Sequence, residues 1–170
     1  EEDREYYRFK EGFFPKKEAL RQIMNDPAYI GRADIESPKH RAMDTLVSSE
    51  LDGKKNAGRK MLIFCRYTHQ IETYVERYSR YGACGYYGGL SKDSNGYKID
   101  TEGNVLYYKV DEYENFMLDE KGRPIPADKA TGRPIRALDY ERVLFQNNPD
   151  SRILIANYQS GALGVTLTAA

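Results

Sequence analysis

The spacing of apolar residues changes twice along the chain. Up to about residue 59, apolar residues recur every three or four positions, which predicts amphipathic helices. Asn25-Asp26-Pro27 ends the first of these, because proline cannot continue a helix. Ser37 and Pro38 are the residue types of an N-cap and a first helical position, so they predict the start of a second helix. The predicted apolar stripe of this helix consists of Met43, Leu46, Val47 and Leu51.

Beyond residue 59 the chain alternates between strand-length apolar runs and helical patterns. The predicted elements are strands at 61–65, 85–87 and 152–156, with helices after Thr68 and at 137–147. The runs at 61–65 and 152–156 are continuous and apolar, which is typical of strands covered on both faces. Thr68 is a fair N-cap for the helix that follows the first run. The alternation predicts an α/β fold with a mostly parallel sheet and flanking helices.

Residues 92–135 interrupt this alternation with the pattern of β-hairpins. Turn-forming residues at 101–104 and 119–122 are each flanked by short runs of strand-forming residues. We predict a small β-rich excursion at 92–135, called the insertion below. The domain organisation is thus a helical entry segment and linker at 1–59, followed by one α/β lobe at 60–170 that carries the insertion.

Charge and hydropathy exclude several classes of protein. The chain has 26 acidic and 26 basic side chains, so its formal net charge is zero and any contact with phosphate must be local. The mean hydropathy is −0.75, and no apolar run approaches the roughly 18 residues of a membrane span. The first residues also lack the pattern of a signal peptide. We therefore expect no membrane partner.

The two cysteines, Cys65 and Cys84, both lie in apolar runs of strand length. Two thiols are too few for a disulfide framework. No C-x-x-C pair is present, which argues against a zinc site even with His40 and His69 in the chain. We predict buried thiols, no metal site and a reduced, cytoplasmic setting.

The order of four segments gives the most specific signal in the chain. They are residues 20–27 (LRQIMNDP), 37–51 (SPKHRAMDTLVSSEL), 61–68 (MLIFCRYT) and 145–170, which ends in SGALGVTLTAA. In this order they resemble the second RecA-like lobe of superfamily-two helicases and translocases, in particular that of the Snf-type (switch/sucrose-non-fermenting) ATPases. The third segment resembles motif IV, and the last ends in motif V, the most specific piece. The insertion and the first dozen residues lie outside the resemblance.

The resemblance implies a RecA-like lobe, incomplete at its C-terminus, that contacts the phosphates of a DNA strand, with RNA not excluded. In the family, the turn after the motif IV strand, a loop after the next strand and the start of motif V lie along the backbone of the tracked strand. The matching residues here are Arg66, Tyr67, Thr68, His69, Gly88, Gly89, Ser91, Asn157, Tyr158 and Gln159. Helix N-termini and loop amides supply the donors of such contacts, so little net basicity is needed.

The resemblance also implies one face of an ATP site. Gly161, Gly164 and Thr166 match the part of motif V that faces nucleotide across the lobe interface, with Thr166 where the family usually has Asn or Asp. The chain contains no G-x-x-x-x-G-K-[ST] phosphate loop and no Asp-Glu box for Mg²⁺. Residues 53–60 come near that loop, but they precede a strand and lack the Ser or Thr metal ligand.

These absences make the chain resemble one part of a larger ATP hydrolase. The family's arginine-finger motif, which follows motif V, is missing as well. ATP and Mg²⁺ are therefore expected only in a complete parent protein with an N-terminal RecA-like lobe, associated with the nucleoid in a bacterium or in the nucleus of a eukaryote. We expect no catalytic residue in this chain, no cofactor bound to it and no ATP hydrolysis by it alone.

Each functional interpretation has a structural alternative. Arg66 and His69 belong either to a phosphate contact or to a solvated strand end and helix start. Four tyrosines are candidates either for stacking on bases or for ordinary packing at strand ends, and these are Tyr67, Tyr86, Tyr87 and Tyr158. For the whole chain, the main alternative is a non-catalytic α/β module that binds nucleic acid or has a regulatory role. A small-molecule enzyme with a phosphate cup in motif V is a weaker alternative, because that turn lacks a plausible general base.

Overall fold

The computed structural model describes residues 13–32 and 35–158. The helices are α1 (Phe13–Asn25), α2 (Pro38–Leu51), α3 (Thr68–Arg77) and α4 (Ala137–Asn147), with short 3₁₀ helices at Pro27–Ile30, Lys54–Asn56 and Ser79–Tyr81. The strands are β1 (Met61–Cys65), β2 (Cys84–Tyr86), β3 (Tyr107–Tyr108), β4 (Pro126–Ala127), β5 (Arg133–Pro134) and β6 (Ile153–Asn157). None of the helices in these ranges is long and apolar enough to span a membrane. Two compact units divide between Ala57 and Gly58.

Local capping chemistry determines the helix ends in the first unit. α1 ends at Asn25, and the carboxylate of Asp26 accepts a hydrogen bond from the backbone N–H two residues further on, at 3.0 Å. α2 begins at Pro38, and the hydroxyl oxygen of Ser37 accepts a hydrogen bond from the Lys39 N–H at 3.2 Å. The predicted end of the first helix and the predicted start of the second are both confirmed.

The apolar stripe predicted for α2 is confirmed only in part. Val47 and Leu51 are buried, whereas Leu46 is 49 % exposed. Consecutive residues of an α-helix are about 100° apart around its axis, so Leu46 and Val47 cannot both face a narrow core. The inclusion of Leu46 in the buried stripe was wrong.

The second unit contains the parallel sheet that the alternating pattern predicts. β6 lies between β1 and β2 and is parallel to both. Residues 153–156 of β6 are at most 1 % exposed, which is the burial expected of a central parallel strand. The predicted α/β class is confirmed, and a three-stranded parallel sheet flanked by helices is consistent with part of a RecA-like fold.

β1 departs from the prediction that both of its faces are covered. Among the described strands it pairs with β6 alone, and its residue Phe64 is 42 % exposed. A continuous apolar run indicates that a strand has hydrophobic side chains on both faces, but it does not determine which position the strand takes in the sheet. The order β1–β6–β2 leaves β1 at one side of this sheet, with Phe64 uncovered.

The two helices of this unit cover opposite faces of the sheet. The cluster on one face consists of Cys84, Tyr86, Phe145, Leu154 and Ala156. Phe145 belongs to α4, so α4 covers this face. Side chains alternate along a strand, so Gly85 faces the other way, and a Cβ on it would lie 3.4 Å from Cγ2 of Val75 in α3. The core of the unit therefore lies on both sides of β6.

The insertion contains four turns of the same kind. Two of them are the hairpins predicted at 101–104 and 119–122, so both predictions are confirmed. Each turn begins with an aspartate. The residue before the aspartate forms an antiparallel β-bridge with the residue five positions after the aspartate. The aspartate carboxylate accepts hydrogen bonds from the backbone N–H groups two and four residues further on, at 2.8–3.0 Å. The four aspartates are Asp93, Asp100, Asp111 and Asp119. Each carboxylate thus fixes its own turn.

The fourth residue of each turn has a positive φ. Three of these residues are Gly96, Gly103 and Gly122, with φ of 86°, 89° and 70°, and the fourth is Glu114, with φ of 67°. Glycine adopts this conformation readily, whereas glutamate does so at a cost in free energy. Both carboxylate oxygens of Glu114 accept hydrogen bonds from the Arg133 guanidinium, which holds this turn to β5 of the antiparallel sheet β4–β3–β5.

The beginning of the insertion is attached to the first half of α4. The Ala137 N–H donates a hydrogen bond to the Gly96 carbonyl at 3.0 Å. Nζ of Lys98 lies 2.9 Å from Oε1 of Glu141, and these two side chains are only 23 % and 11 % exposed. An ion pair shielded to this degree is screened less by salt than one at the surface. These contacts connect the insertion to the same helix that covers one face of the parallel sheet.

Candidate nucleic-acid interface

The carboxyl ends of the three parallel strands lie along one border of the sheet, called the carboxyl edge below. β1 and β6 end in register, and β2 ends one position earlier. Three segments at the ends of these strands are therefore neighbours. Residues 66–69 follow β1, residues 157–158 lie at the end of β6, and residues 88–91 come after β2. The structure thus brings together the described parts of all three segments that the sequence nominates for phosphate contact.

A cleft opens at the carboxyl edge between the ends of β1 and β6. Its volume is about 360 Å³, and it is lined by Arg66, Tyr67, Asn157 and Tyr158. The guanidinium carbon of Arg66 lies 5.9 Å from the centroid of the Tyr67 ring, within the range of a cation–π contact. None of these four lining residues is acidic. The cleft therefore combines a cation, an amide and two aromatic rings, and all four residues come from the predicted set.

An aromatic pair stands beside this cleft. The rings of Phe64 and Tyr158 are stacked, with their centroids 5.7 Å apart and an interplanar angle of 23°. Phe64 is 42 % exposed and Tyr158 is 61 % exposed. Phe64 is not among the predicted site residues, because the continuous apolar run of β1 predicts a strand covered on both faces. The register places Phe64 opposite Ala156, two residues before Tyr158, so this pairing depends on the strand order.

The N-terminus of α3 faces the same edge. Tyr67 is the N-cap residue, with extended φ and ψ of −111° and 140°, and its side chain makes no capping hydrogen bond. Thr68 is the first helical residue, so the prediction of Thr68 as the N-cap was wrong by one position, because the helix takes up its geometry directly after Tyr67. The first turn contains no acidic residue. The positive end of the helix dipole therefore adds to the charge of Arg66.

The glycine loop after β2 lies next to this helix start. A Cβ on Gly89 would lie 3.6 Å from Cγ2 of Thr68 and 2.6 Å from Cε2 of Tyr87, so a larger residue there would require the Tyr87 ring to move. A Cβ on Gly88 would meet no atom within 4 Å. Gly88, Gly89 and Ser91 are all exposed. The loop is therefore tightly packed at Gly89 and open at Gly88.

Lys92 brings a second cation to this loop. Its Nζ donates a hydrogen bond to the Gly88 carbonyl at 2.6 Å. Lys92 lies at the start of the insertion and is not among the predicted site residues. A lysine four residues after a glycine is too common a pattern to have been singled out from the sequence.

Two of the four candidate tyrosines pack rather than face the cleft. Tyr86 is 8 % exposed and belongs to the core cluster with α4. Tyr87 is half-buried, and its hydroxyl donates a hydrogen bond to Oε1 of Glu72 at 3.3 Å. Burial, reinforced by the Glu72 carboxylate, raises the pKa of Tyr87. For Tyr86 and Tyr87 the packing interpretation applies, and Tyr67 and Tyr158 remain at the cleft.

The two thiols are buried and are not part of the edge chemistry. Cys65 and Cys84 are both free and buried, and burial raises the pKa of each thiol to about 12. Sγ of Cys84 lies 3.6 Å from Oγ of Ser151. Thiols with such pKa values stay protonated near neutral pH and are poor nucleophiles. Within residues 13–32 and 35–158, no three His, Cys, Asp or Glu side chains are grouped so as to hold a metal ion.

Four of the predicted site residues lie outside the described residues. These are Gln159 of the phosphate-contacting set and the three residues predicted to face ATP, Gly161, Gly164 and Thr166. The described residues therefore include the predicted phosphate-contacting residues other than Gln159, and none of the residues predicted to face ATP.

Comparison with known proteins adds no further assignment. No protein-family model, no curated protein and no solved structure matches the chain.

Proposed function

We propose that this chain is the second RecA-like lobe of an ATP-dependent DNA helicase or translocase, and that its carboxyl edge contacts the phosphates of the tracked strand. One observation carries the proposal. Residues 66–67 and 157–158, which are about 90 positions apart in the chain, line one cleft at the ends of adjacent parallel strands. Ligands of open α/β sheets bind outside the carboxyl ends of the strands, where loops and helix N-termini converge.

The charges at the edge favour an anion. The guanidinium of Arg66, the N-terminus of α3 and the ammonium of Lys92 beside Gly88 all place positive charge there. The chain has a net charge of zero, so attraction to a polyanion depends on this local arrangement rather than on the whole molecule. Contacts to phosphate position a strand without reading its sequence, which suits a motor that moves along any sequence.

The proposal assigns ATP and Mg²⁺ to the junction with a first RecA-like lobe of the same parent protein. Gly161, Gly164 and Thr166 face the nucleotide in this proposal, by their resemblance to motif V. Closure of the two lobes on the nucleotide moves the bound strand relative to the first lobe, since ligand binding shifts a two-state hinge toward its closed state. The chain alone lacks the phosphate loop and so contributes binding rather than hydrolysis.

Salt-dependent DNA binding by the chain tests the phosphate contact. Fluorescence anisotropy with a labelled DNA strand, at several salt concentrations, measures the affinity and its dependence on salt. Arg66→Ala is expected to weaken binding alike for different sequences and to lower the slope of log affinity against log salt by about one, since one phosphate contact is lost.

Arg59→Ala is the matched control for this experiment. Arg59 is exposed and lies just before β1, whereas Arg66 lies just after it, so the two arginines flank opposite ends of the same strand. The control is expected to leave affinity and salt slope unchanged. Equal effects of the two variants, or no binding of DNA by the folded chain, contradict the phosphate contact.

The motor role is tested by ATP hydrolysis. The chain alone is expected to show no turnover with or without DNA, while the longer parent protein is expected to hydrolyse ATP faster when DNA is present. A folded parent whose turnover does not respond to DNA contradicts the motor role and favours a binding or regulatory module.

A further inference from the structure

A contact with phosphate does not explain the stacked rings of Phe64 and Tyr158 at the carboxyl edge. Phosphate binding needs cations and N–H donors, yet the structure exposes 42 % of Phe64 and 61 % of Tyr158 beside the cleft. Exposed aromatic surface lowers stability relative to burial, because apolar area stays in contact with water. We infer that this pair is a stacking platform for an unpaired nucleobase, so that the edge binds single-stranded DNA in preference to duplex. This inference rests on the proposed function of the same edge.

The position of Phe64 supports the inference. Phe64 shares its sheet face with Leu62 and Ala156, since side chains of a strand alternate between faces. Leu62 packs against the core cluster under α4. Phe64, two residues nearer the carboxyl edge, lies beyond this cover and packs on the Tyr158 ring instead. The Tyr158 ring is thus supported from within the fold while most of the residue stays in contact with solvent.

The composition of the cleft fits one nucleotide of a single strand. A base stacks on an aromatic ring whatever its identity, a guanidinium pairs with phosphate, and a side-chain amide has a donor and an acceptor for a base edge. Tyr158, Arg66 and Asn157 provide these three groups within one cleft of about 360 Å³. This volume lies within the range of sites that hold small molecules. Bases of a duplex are paired and stacked on one another, so they cannot reach such a ring.

The same composition is missing around Tyr113, an exposed tyrosine of the insertion. Tyr113 is 76 % exposed at the third turn of the insertion, next to Glu112 and to Glu114, which is paired with Arg133. The Glu112 carboxylate repels a phosphate backbone, and the Glu114 carboxylate offsets the charge of Arg133. Tyr113 therefore serves as a control for a tyrosine that is exposed but is not a stacking site.

Three nucleic-acid probes separate stacking from phosphate contact. They are a 12-residue oligothymidine, an abasic strand with the same number of phosphates, and a 12-base-pair duplex. The chain is expected to bind oligothymidine about fivefold to 150-fold more tightly than the abasic strand, which is the range for one base–aromatic stack. The duplex is expected to bind no more tightly than the abasic strand. Equal affinity for oligothymidine and the abasic strand overturns the stacking inference and leaves the phosphate contact intact.

Substitutions at Tyr158 test the platform directly. Tyr158→Leu keeps an apolar side chain but removes the aromatic face, so it is expected to remove the preference for oligothymidine over the abasic strand. Tyr158→Phe keeps the ring and is expected to retain the preference, and Tyr113→Leu is expected to have no effect on it. A Tyr158→Leu variant that keeps the full preference overturns the inference. If the folded chain binds none of the three probes, both the stacking inference and the proposed function fail.

Discussion

The parallel sheet and the insertion belong to one compact unit, but different interactions stabilise them. In the sheet, residues 153–156 of β6 are at most 1 % exposed and pack between two strands and two helices, so burial between distant segments dominates. In the insertion, which the structure describes throughout, the buried hydrophobic residues are Tyr108 and Ile135, which are 5 % and 1 % exposed. Each of its four turns is closed instead by hydrogen bonds between residues at most four positions apart, and Arg133 also holds the third turn through Glu114.

This difference predicts where each region is vulnerable. The sheet should respond most to the loss of a core side chain, whichever segment provides it. The insertion should respond to backbone geometry at its turns and to the protonation of its aspartates. Three experiments test the contrast, from the largest expected effect to the smallest.

Truncation of Phe145 is expected to have the largest effect. Phe145 is fully buried and packs from α4 onto the sheet, so Phe145→Ala removes its contacts and leaves a cavity. The expected loss in free energy of unfolding is about 3–5 kcal/mol, measured by urea denaturation followed by circular dichroism. Tyr113→Ala in the insertion removes an aromatic ring that is 76 % exposed, and it is expected to change stability by less than about 0.5 kcal/mol. Similar losses for the two variants would contradict the contrast.

Two glycines of the insertion form a matched pair for the second experiment. Both adopt a positive φ, but a Cβ on Gly122 would lie 2.1 Å from the Asn147 carbonyl oxygen at the end of α4, while a Cβ on Gly103 would meet nothing within 4 Å. Gly103→Ala is expected to cost about 1 kcal/mol, from backbone strain alone. Gly122→Ala is expected to cost about 3 kcal/mol, because the turn must also move away from α4.

Urea denaturation of the two glycine variants measures this difference. Equal costs would show that the insertion does not pack on α4 through Gly122. A larger cost for Gly103→Ala than for Gly122→Ala would contradict the described geometry of both turns.

Acid is expected to weaken the insertion by a smaller amount. A backbone hydrogen bond from Asn104 lowers the pKa of Asp100, one from Asn115 lowers the pKa of Asp111, and a side-chain hydrogen bond from Arg123 lowers the pKa of Asp119. A lowered pKa means that the folded state binds fewer protons than the unfolded state near pH 4. The stabilisation is therefore complete well above the unfolded value of about 3.8, and it is lost as the pH falls toward the folded values.

The triple variant with Asp→Asn at these three positions tests this pH dependence. Asparagine still accepts the turn hydrogen bonds through its side-chain oxygen but does not titrate in this range. The loss of unfolding free energy between pH 5 and pH 3 is expected to be smaller in the variant than in the wild type. Glu112→Gln, which changes an exposed carboxylate in the third turn, is expected to keep the wild-type loss. An identical pH dependence in the triple variant would contradict the role of the aspartates.

The parts of the fold that depend on local chemistry were predictable from the sequence. The end of α1 at Asn25, the Ser37 cap of α2 and the bounds of α4 follow from proline, from capping residues and from helical periodicity. The continuous apolar run at 152–156 predicted a buried strand, and β6 is that strand. Strand order is not local, so the exposed position of Phe64 on β1 could not be read from a run of apolar residues.

The turns of the insertion show the same limit. The hairpins at 101–104 and 119–122 were predicted because a glycine lies in each turn sequence. The turn at Asp111 was missed because Glu114 takes the position where glycine is usual, and only the contact with Arg133 from a later strand shows how it is held. The turn at Asp93 was missed because it lies in a polar stretch directly after the glycine loop.

The sequence predicted which segments form the candidate site, but not every side chain that lies on its surface. Motif order nominated residues 66–69, 88–91 and 157–159, and the parallel strands bring their described members to one edge. Phe64 and Lys92 were missed. Phe64 lies in the strand of the motif IV segment rather than in the turn after it, Lys92 lies outside the four motif segments, and each reaches the edge through its contacts. The assignments of Gly161, Gly164 and Thr166 to an ATP interface stay predictions.

The hydrogen bond between Gly96 and Ala137 joins a residue near the beginning of the insertion to the first residue of α4, two positions after the insertion ends. A neighbouring bond, from the Lys98 N–H to the Ile135 carbonyl at 2.9 Å, closes the same loop. The insertion therefore leaves the lobe and rejoins it at neighbouring positions, which these two hydrogen bonds hold together. A change of length within the insertion, between these two hydrogen bonds, is therefore expected to leave the distance between the end of β2 and the start of α4 unchanged.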